Sequence, residues 1–231
     1  MVGRSLFITG TDTGVGKTVV ACAVVRALRE RGFDVGVMKP METGVLNEGP
    51  LDAQALRDAA GVSDTIEEIC PLQFALPAAP NVAAAEEGRI VDLDRVRDNY
   101  ATLAARHEVM VVEGAGGLLV PTAPGHDMGD LAQGLDLPLI VVARMALGTI
   151  NHTLLTLREI ERRKIPLAGV ILSESNGPLS NSDRANLTHL RAELGDTVVG
   201  EITAQSVASD TAHKNIQIDR VLSASSQRRA S

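Results

Sequence analysis

The chemistry-bearing part of this chain opens with Gly10-Thr11-Asp12-Thr13-Gly14-Val15-Gly16-Lys17-Thr18. A glycine-rich turn that closes on Gly-Lys-Thr suits phosphate. Its backbone N–H groups converge on the anion, the lysine reaches the β- and γ-phosphates, and the threonine hydroxyl sits on Mg²⁺. Five residues separate Gly10 from Gly16, one more than in the usual G-x-x-x-x-G-K-[ST] spacing. Gly14, Val15, Gly16, Lys17, Thr18 and Val19 are therefore expected around a nucleotide's phosphates. Further polar residues follow at Lys39, Thr43, Asp52 and Glu113. Thr18, Asp52 and Glu113 supply hard oxygens of the kind Mg²⁺ takes together with phosphate and water. Lys17 and Lys39 fit the catalytic role of neutralising charge that spreads during phosphoryl transfer. Taken alone, Lys39 reads as a solvated lysine at a strand end, and Asp52 as an acid favoured by a helix dipole. Glu113 is more telling, because it ends the apolar run Val109 to Val112 and opens a second glycine-rich turn, Gly114-Ala115-Gly116-Gly117.

These residues need elements to position them. Leu6-Phe7-Ile8 reads as a strand running into the phosphate loop, and Val19 to Arg31 as a helix whose Val20, Val24, Ala27 and Leu28 share one side. Gly32 suits the residue just past its end. Asp34 to Lys39 reads as a second strand followed by a loop through Gly44, and Leu51 begins a helix after Pro50. Pro71, Pro77 and Pro80 mark Cys70 to Asn81 as a loop, with a short helix over Val82 to Glu87. Asp92 is placed to cap a helix running to about His107. Val109 to Val112, Leu137 to Ala143, Leu167 to Leu172 and Val198 to Ile202 read as further strands. Helices run from Thr149 to near Lys164 and from Asp183 to Leu194. Strands alternating with helices predict an α/β fold, a mostly parallel sheet with helices on both faces. Residues 1–222 are expected to form one domain and 223–231 a flexible, Ser/Arg-rich tail. The helix opening at Thr149 presents unpaired N–H groups near Ile150 and Asn151, an anion site by helix-end physics, with His152 a structural residue.

Composition narrows the possible functions. The 231 residues are 45% hydrophobic but only 2% aromatic, so the core must be built from Val, Leu, Ile and Ala. A net charge of −7 without a basic stripe disfavours nucleic acid as a partner. Cys22 and Cys70 belong to no CxxC or Cys/His cluster and read as reduced residues of a cytoplasmic protein. No apolar run reaches the ~18 residues that span a membrane, and Met1 to Arg4 enters a strand without a signal-peptide core.

In order and spacing, Gly10 to Thr18, Lys39-Pro40, Val112 to Gly117, and Gly148-Thr149-Ile150-Asn151-His152 resemble the dethiobiotin synthetases, over about Phe7 to Ile202. The longer phosphate loop is itself a trait of that family. The resemblance implies a P-loop NTPase-like fold and a Mg²⁺-dependent homodimer with its active site near the subunit interface. It implies a reaction that takes 7,8-diaminononanoate, CO₂ and ATP to dethiobiotin, ADP and phosphate in biotin synthesis. It assigns Lys17 to the phosphates, Lys39 to the carbamate and the transferring phosphoryl group, and Thr43 to the carbamate. Thr18, Asp52 and Glu113 become metal-site residues, and Gly114, Ala115 and Gly116 approach nucleotide and substrate. Gly148, Thr149, Ile150 and Asn151 of the opposite subunit would hold the substrate's carboxylate. Ser173-Glu174 stand where the family often carries an Asn-Asp pair on adenine, which changes the donors and acceptors offered to the base. Partitioning ATPases of the related P-loop group commonly have a second lysine early in the loop, where this chain has Asp12. A cobyrinate-type amidotransferase would need a glutaminase domain for which the chain has no room.

Overall fold

The computed structural model describes residues 4–175 and 177–226. Six strands make the main sheet: β1 (Leu6–Gly10), β2 (Val35–Met38), β3 (Val109–Gly117), β4 (Leu139–Arg144), β5 (Leu167–Ser173) and β6 (Val198–Ile202). Their spatial order is β2-β3-β1-β4-β5-β6, and every pairing is parallel. All six C-terminal ends therefore share one edge, and the order reverses direction at β1, where such sheets bind ligands.

The strands are continuously apolar because both faces are covered. Alternate residues along a strand serve different cores. Leu6, Ile8, Val109, Val111, Ile140 and Val142 pack with the helices Lys17–Glu30 and Leu51–Ala60. Phe7, Met110, Val112, Leu139 and Val141 face the opposite core, under Leu93–Ala104, Met128–Gly134 and Asn181–Leu194. The sheet is thus clamped from both sides, and the loops at its C-terminal edge project from a rigid base.

Several expectations need correction. The loop expected over residues 39–44 contains a strand, Met41–Thr43, which pairs in parallel with Leu72–Phe74 inside the expected loop over residues 70–81. Both segments are too short to show a period in sequence, and Pro71 sits just before the second. The short helix after Pro77 begins earlier, at Pro80, and spans Pro80–Glu86. The helix capped by Asp92 ends sooner, at Ala104. Beyond β6 the chain forms two more α-helices, Ala204–Ala208 and Ile218–Ser226, with a 3-10 helix, Ala212–Asn215, between them. The second takes in residues 223–226 of the expected tail, while 227–231 lie outside the described residues. Among the described residues, no helix is long and apolar enough to cross a membrane.

At the opposite edge of the sheet, His107 is held between two acids. Its Nδ1 lies 3.0 Å from Asp34 Oδ1 and its Nε2 lies 2.9 Å from Asp64 Oδ2, while Arg106 also bonds Asp64 and Glu68. Two carboxylates on two ring nitrogens call for the doubly protonated ring. Burial opposes that charge, but the bonds to Asp34 and Asp64 outweigh it and raise the His107 pKa above its ordinary value. A raised pKa stabilises the fold fully below the unfolded value of about 6.5, and the contribution fades as pH rises through the folded value. His107→Gln should therefore lower the melting temperature clearly at pH 6 and much less at pH 9. Equal losses at both pH values in thermal melts would mean that His107 contributes packing alone.

Candidate active site

The phosphate loop leaves β1 at Gly10 and enters the helix Lys17–Glu30 at Gly16, whose φ of 88° is left-handed. Gly16 also has no room for a side chain, since a Cβ there would meet Ser173 Oγ at 2.5 Å. The helix has no side-chain cap, so its first N–H groups face the loop's concavity. Val15 is fully buried in the core and anchors the loop from below. Lys17 is buried, and its Nζ donates to the carbonyl of Asp12 at 3.3 Å. Burial, reinforced by repulsion from Lys39, lowers the Lys17 pKa.

Lys39 follows β2 directly, Glu113 lies in β3 beside Ile8 of β1, and Asp52 sits in the first turn of Leu51–Ala60. These three separate elements converge on one charge cluster. Lys39 Nζ donates to Glu113 Oε1 at 2.6 Å and to Asp52 Oδ2 at 2.7 Å. Thr18 Oγ1 lies 3.0 Å from the same Glu113 oxygen and 2.9 Å from Asp52 Oδ1. Burial alone would push Lys39 towards its neutral form, but the Glu113 and Asp52 carboxylates outweigh it and hold its pKa above the ordinary lysine range. Burial likewise opposes the charge on Asp52, yet Lys39 and Thr18 keep that carboxyl below its ordinary pKa.

Glu113 has no exposed surface, and its second oxygen, Oε2, is buried without a hydrogen-bond partner. A buried carboxylate oxygen left in that state is costly unless a donor or cation meets it. With Thr18 and Asp52 beside it, the donor set is two carboxylates and a hydroxyl, all hard oxygens, which fits Mg²⁺ completed by phosphate and water. No soft ligand intrudes. Among the described residues there is also no cluster of three or more His, Cys, Asp or Glu side chains suited to a metal.

Glu42 was not expected at the site, and it explains how Asp52 is held. The helix Leu51–Ala60 begins after Pro50, which offers no side-chain cap. Glu42 reaches across instead and accepts the N–H groups of Asp52 at 3.0 Å and Ala53 at 3.1 Å. Burial raises the Glu42 pKa, with these two bonds opposing the rise. The sequence signal was only a lone acid between Met41 and Thr43, without periodicity to place it.

A cleft of about 710 Å³ joins these groups, lined by Gly14, Gly16, Lys17, Thr18, Val19, Lys39, Thr43, Asp52, Glu113, Ala115, Gly116, Ser173 and Glu174. Its far wall adds Ser175, Ile202, Ala204, Val207 and Ala208. Gly114 does not line it. Gly114 lies over Phe7, whose ring a Cβ there would meet at 2.8 Å, so its lack of a side chain serves packing. Glu174 is partly engaged in structure, accepting the N–H of Ala204 at 3.0 Å. Gly148, Thr149, Ile150 and Asn151 do not line this cleft. Their helix, Thr149–Arg163, starts from a left-handed Gly148 with no side-chain cap. Next to it, His152 lines a second cavity of about 410 Å³ with Asp12, Leu118, Leu119, Val120 and Leu155. Thr13 lines both cavities.

Known proteins resemble this chain over most of its length. A family model described as an AAA domain matches residues 4–212. An ATP-dependent dethiobiotin synthetase BioD from Anaeromyxobacter dehalogenans (strain 2CP-C) is 52% identical over 80% of this chain and 86% of the relative. One from Thermodesulfovibrio yellowstonii is 37% identical over 94% of this chain and 98% of the relative. Among solved structures, a ParA family ATPase from Chlorobium tepidum TLS superposes with a TM-score of 0.52 over 95% of this chain and 93% of its own, at 17% identity. The MinC:MinD cell division protein complex of Aquifex aeolicus gives 0.54 over 99% and 96%, at 12% identity. The two structures share the fold.

The charge cluster makes a stability prediction. Removing Lys39 leaves a fully buried carboxylate without its cation, a change that typically costs about 3–5 kcal/mol, although the Asp52 share is screened by its partial exposure. Lys39→Met should therefore lose about 3 kcal/mol in urea unfolding at neutral pH, and adding Glu113→Gln should restore part of it. A neutral single variant, or a double variant with no recovery, would show that the two charges are not coupled.

Proposed function

The chain belongs to the dethiobiotin synthetase family, and on that premise we propose how its own residues carry out the reaction of 7,8-diaminononanoate, CO₂ and ATP to dethiobiotin, ADP and phosphate. The observation that carries the reading is the convergence of Lys17, Lys39, Thr18, Asp52 and Glu113 at one end of the nucleotide cleft.

In the reaction, one amine of the diamine captures CO₂ and loses a proton to become a carbamate. A carbamate oxygen attacks the γ-phosphorus of ATP, ADP leaves, and a carbamic-phosphoric anhydride forms. The second amine then attacks the carbonyl carbon, expels phosphate and closes the cyclic urea. No covalent enzyme nucleophile is required, so the protein's task is positioning and charge stabilisation. The phosphate loop and Lys17 bind the phosphate chain, with the helix dipole aligned in support. Lys17 and Lys39 both line the cleft beside the phosphate loop, so two ammonium groups are available to the negative charge that gathers on the γ-phosphoryl group and carbamate. Thr43, on the short strand after Lys39, lines the same end and suits a hydrogen bond to the carbamate. Thr18, Asp52 and Glu113 are the residues that would hold Mg²⁺. When bound there, the ion supplies charge neutralisation between the phosphate oxygens. The side chains' own part is to fix those oxygens, with Glu42 holding Asp52 through the helix start.

The diamine's carboxylate lies several methylenes from its amines and needs a second anion site. The uncapped helix start at Gly148, Thr149, Ile150 and Asn151 suits it, contributed by the partner of a homodimer. Support for such an interface comes from the exposed apolar side chains of Leu119 and Leu155, which border the second cavity, and of Leu147, one residue before Gly148. The free thiols of Cys22 and Cys70 agree with a cytoplasmic setting.

A coupled phosphate-release assay at saturating bicarbonate tests the reading. Phosphate release should depend on the diamine, and Lys39→Ala should lower turnover by about 10²–10³ while nucleotide binding survives. ATP hydrolysis at the same rate with and without the diamine would instead fit a nucleotide-driven switch and contradict the proposal.

A further inference from the structure

The phosphate loop is held from two sides. Its rear half is anchored by Val15 in the core and by the helix Lys17–Glu30. Its front half, Thr11 and Asp12, rests on the neighbouring strand and helix. Thr11 N–H donates to Val142 O of β4 at 2.9 Å. Asp12 folds back over the start of the loop, where a Cβ on Gly10 would meet the Asp12 carbonyl oxygen at 2.7 Å. That same carbonyl accepts Lys17 Nζ at 3.3 Å, so Asp12 joins the two halves. Of its carboxylate oxygens, Oδ1 accepts the N–H of Thr13 at 2.8 Å. Oδ2 lies 3.8 Å from Arg144 Nη1 and 4.0 Å from His152 Nδ1.

We infer that Arg144 is a positioning residue for phosphate binding: its guanidinium, with His152 beside it, holds Asp12 and through Asp12 sets the loop's apex and the place of Lys17. This rests on the role proposed above for the loop and Lys17 in binding the phosphate chain. Arg144 ends β4, the strand beside β1, and its side chain is 25% exposed, with Nε buried and without a hydrogen-bond partner. Among the described residues, Asp12 is the acid that lies within 4.0 Å of it. These distances are those of an ion pair and not of direct hydrogen bonds, so attraction orients the carboxylate without tying it to one donor. Asp12 is 45% exposed, so water screens the pair and limits its effect to a few-fold in affinity. Without the positive charge, Oδ2 is free to turn. The Thr13 N–H bonded to Oδ1 then loses its fixed partner, and the carbonyl that meets Lys17 loses its support. Backbone N–H groups bind an anion only while they converge on it, and a preorganised loop spares the cost of ordering them. A loosened apex therefore weakens the hold on the β- and γ-phosphates and leaves the remainder of the nucleotide unaffected.

A pair of ligands separates this role from general damage to the site. The non-hydrolysable ATP analogue AMP-PNP and AMP are titrated calorimetrically, with Mg²⁺ present, into the wild type, Arg144→Met, Arg144→Lys, Asp12→Asn and the double variant Arg144→Met/Asp12→Asn. Arg144→Met should bind AMP-PNP about two- to fivefold more weakly, with AMP affinity and melting temperature unchanged. Asp12→Asn keeps an acceptor for the Thr13 N–H but drops the charge, and it should show the same selective loss. The double variant should lose no more than either single one, and Arg144→Lys should recover most of the affinity. Unchanged AMP-PNP binding in Arg144→Met, equal losses for both ligands, or additive losses in the double variant would each overturn the inference. If Arg144→Met does not fold, Asp12→Asn decides by the same selective loss. Diamine-dependent turnover of the wild type is recorded alongside. A selective loss of AMP-PNP affinity without such turnover would uphold the positioning role and count against the catalytic reading. Turnover with AMP-PNP affinity indifferent to Arg144 would do the reverse.

Discussion

A carboxylate with no exposed surface must be met by positive charge and donors, and Glu113 is such a group at the heart of the sheet. Its position in β3, opposite Ile8 of β1, brings it beside the phosphate loop that β1 launches. Lys39 at the end of β2 and Thr18 at the start of the first helix both converge on the same Oε1 atom. One oxygen thus ties three chain segments together, while its twin, Oε2, stays buried without a partner. The structural and chemical demands coincide here. The cation that compensates the acid is the lysine assigned to charge neutralisation, and the same acid stands with Thr18 and Asp52 in a set of hard oxygens that would suit a divalent ion.

The rest of the site is arranged around this pair. Asp52 joins the cluster only because a helix begins at Leu51, and that helix begins cleanly because Glu42 accepts the N–H groups of Asp52 and Ala53. The two-stranded pairing of Met41–Thr43 with Leu72–Phe74 carries Glu42 and Thr43 on one short segment. Glu42 holds the helix start, and both it and Thr43 line the cleft. At the other end of the cleft, Glu174 plays a comparable part for Ala204–Ala208. Both ends of the nucleotide site are therefore braced by an acid that caps a neighbouring helix from outside it.

Much of this was legible in the sequence where the signal was local and dense. The phosphate loop declares itself by glycine spacing, and the six sheet strands by runs such as Val109 to Val112 that must be buried on both faces. Lys39, Thr43 and Asp52 follow a predicted strand or open a predicted helix, so they can converge on one sheet edge, and the family resemblance then gave them roles. The illegible parts have physical reasons. Met41–Thr43 and Leu72–Phe74 are too short to show a period, and prolines around the second segment imitate a loop. Glu42 caps a helix nine residues further along the chain, so no capping pattern marks it. Ile202, Val207 and Ala208 look like ordinary core residues, and only the return of the chain after β6 makes them a wall of the cleft.

On the function proposed here, this cluster activates a carbamate by passing the γ-phosphoryl group of ATP to one of the carbamate's oxygens. The most direct measurement follows those oxygens. Bicarbonate labelled with heavy oxygen is mixed with diamine, ATP, Mg²⁺ and enzyme, and the phosphate released is analysed by mass before solvent exchange can erase the label. Attack by the carbamate leaves one labelled oxygen in each phosphate and the other in the carbonyl of the cyclic urea. Phosphate that carries oxygen only from ATP and water would mean that water, and not a carbamate, receives the phosphoryl group, and the account would fail.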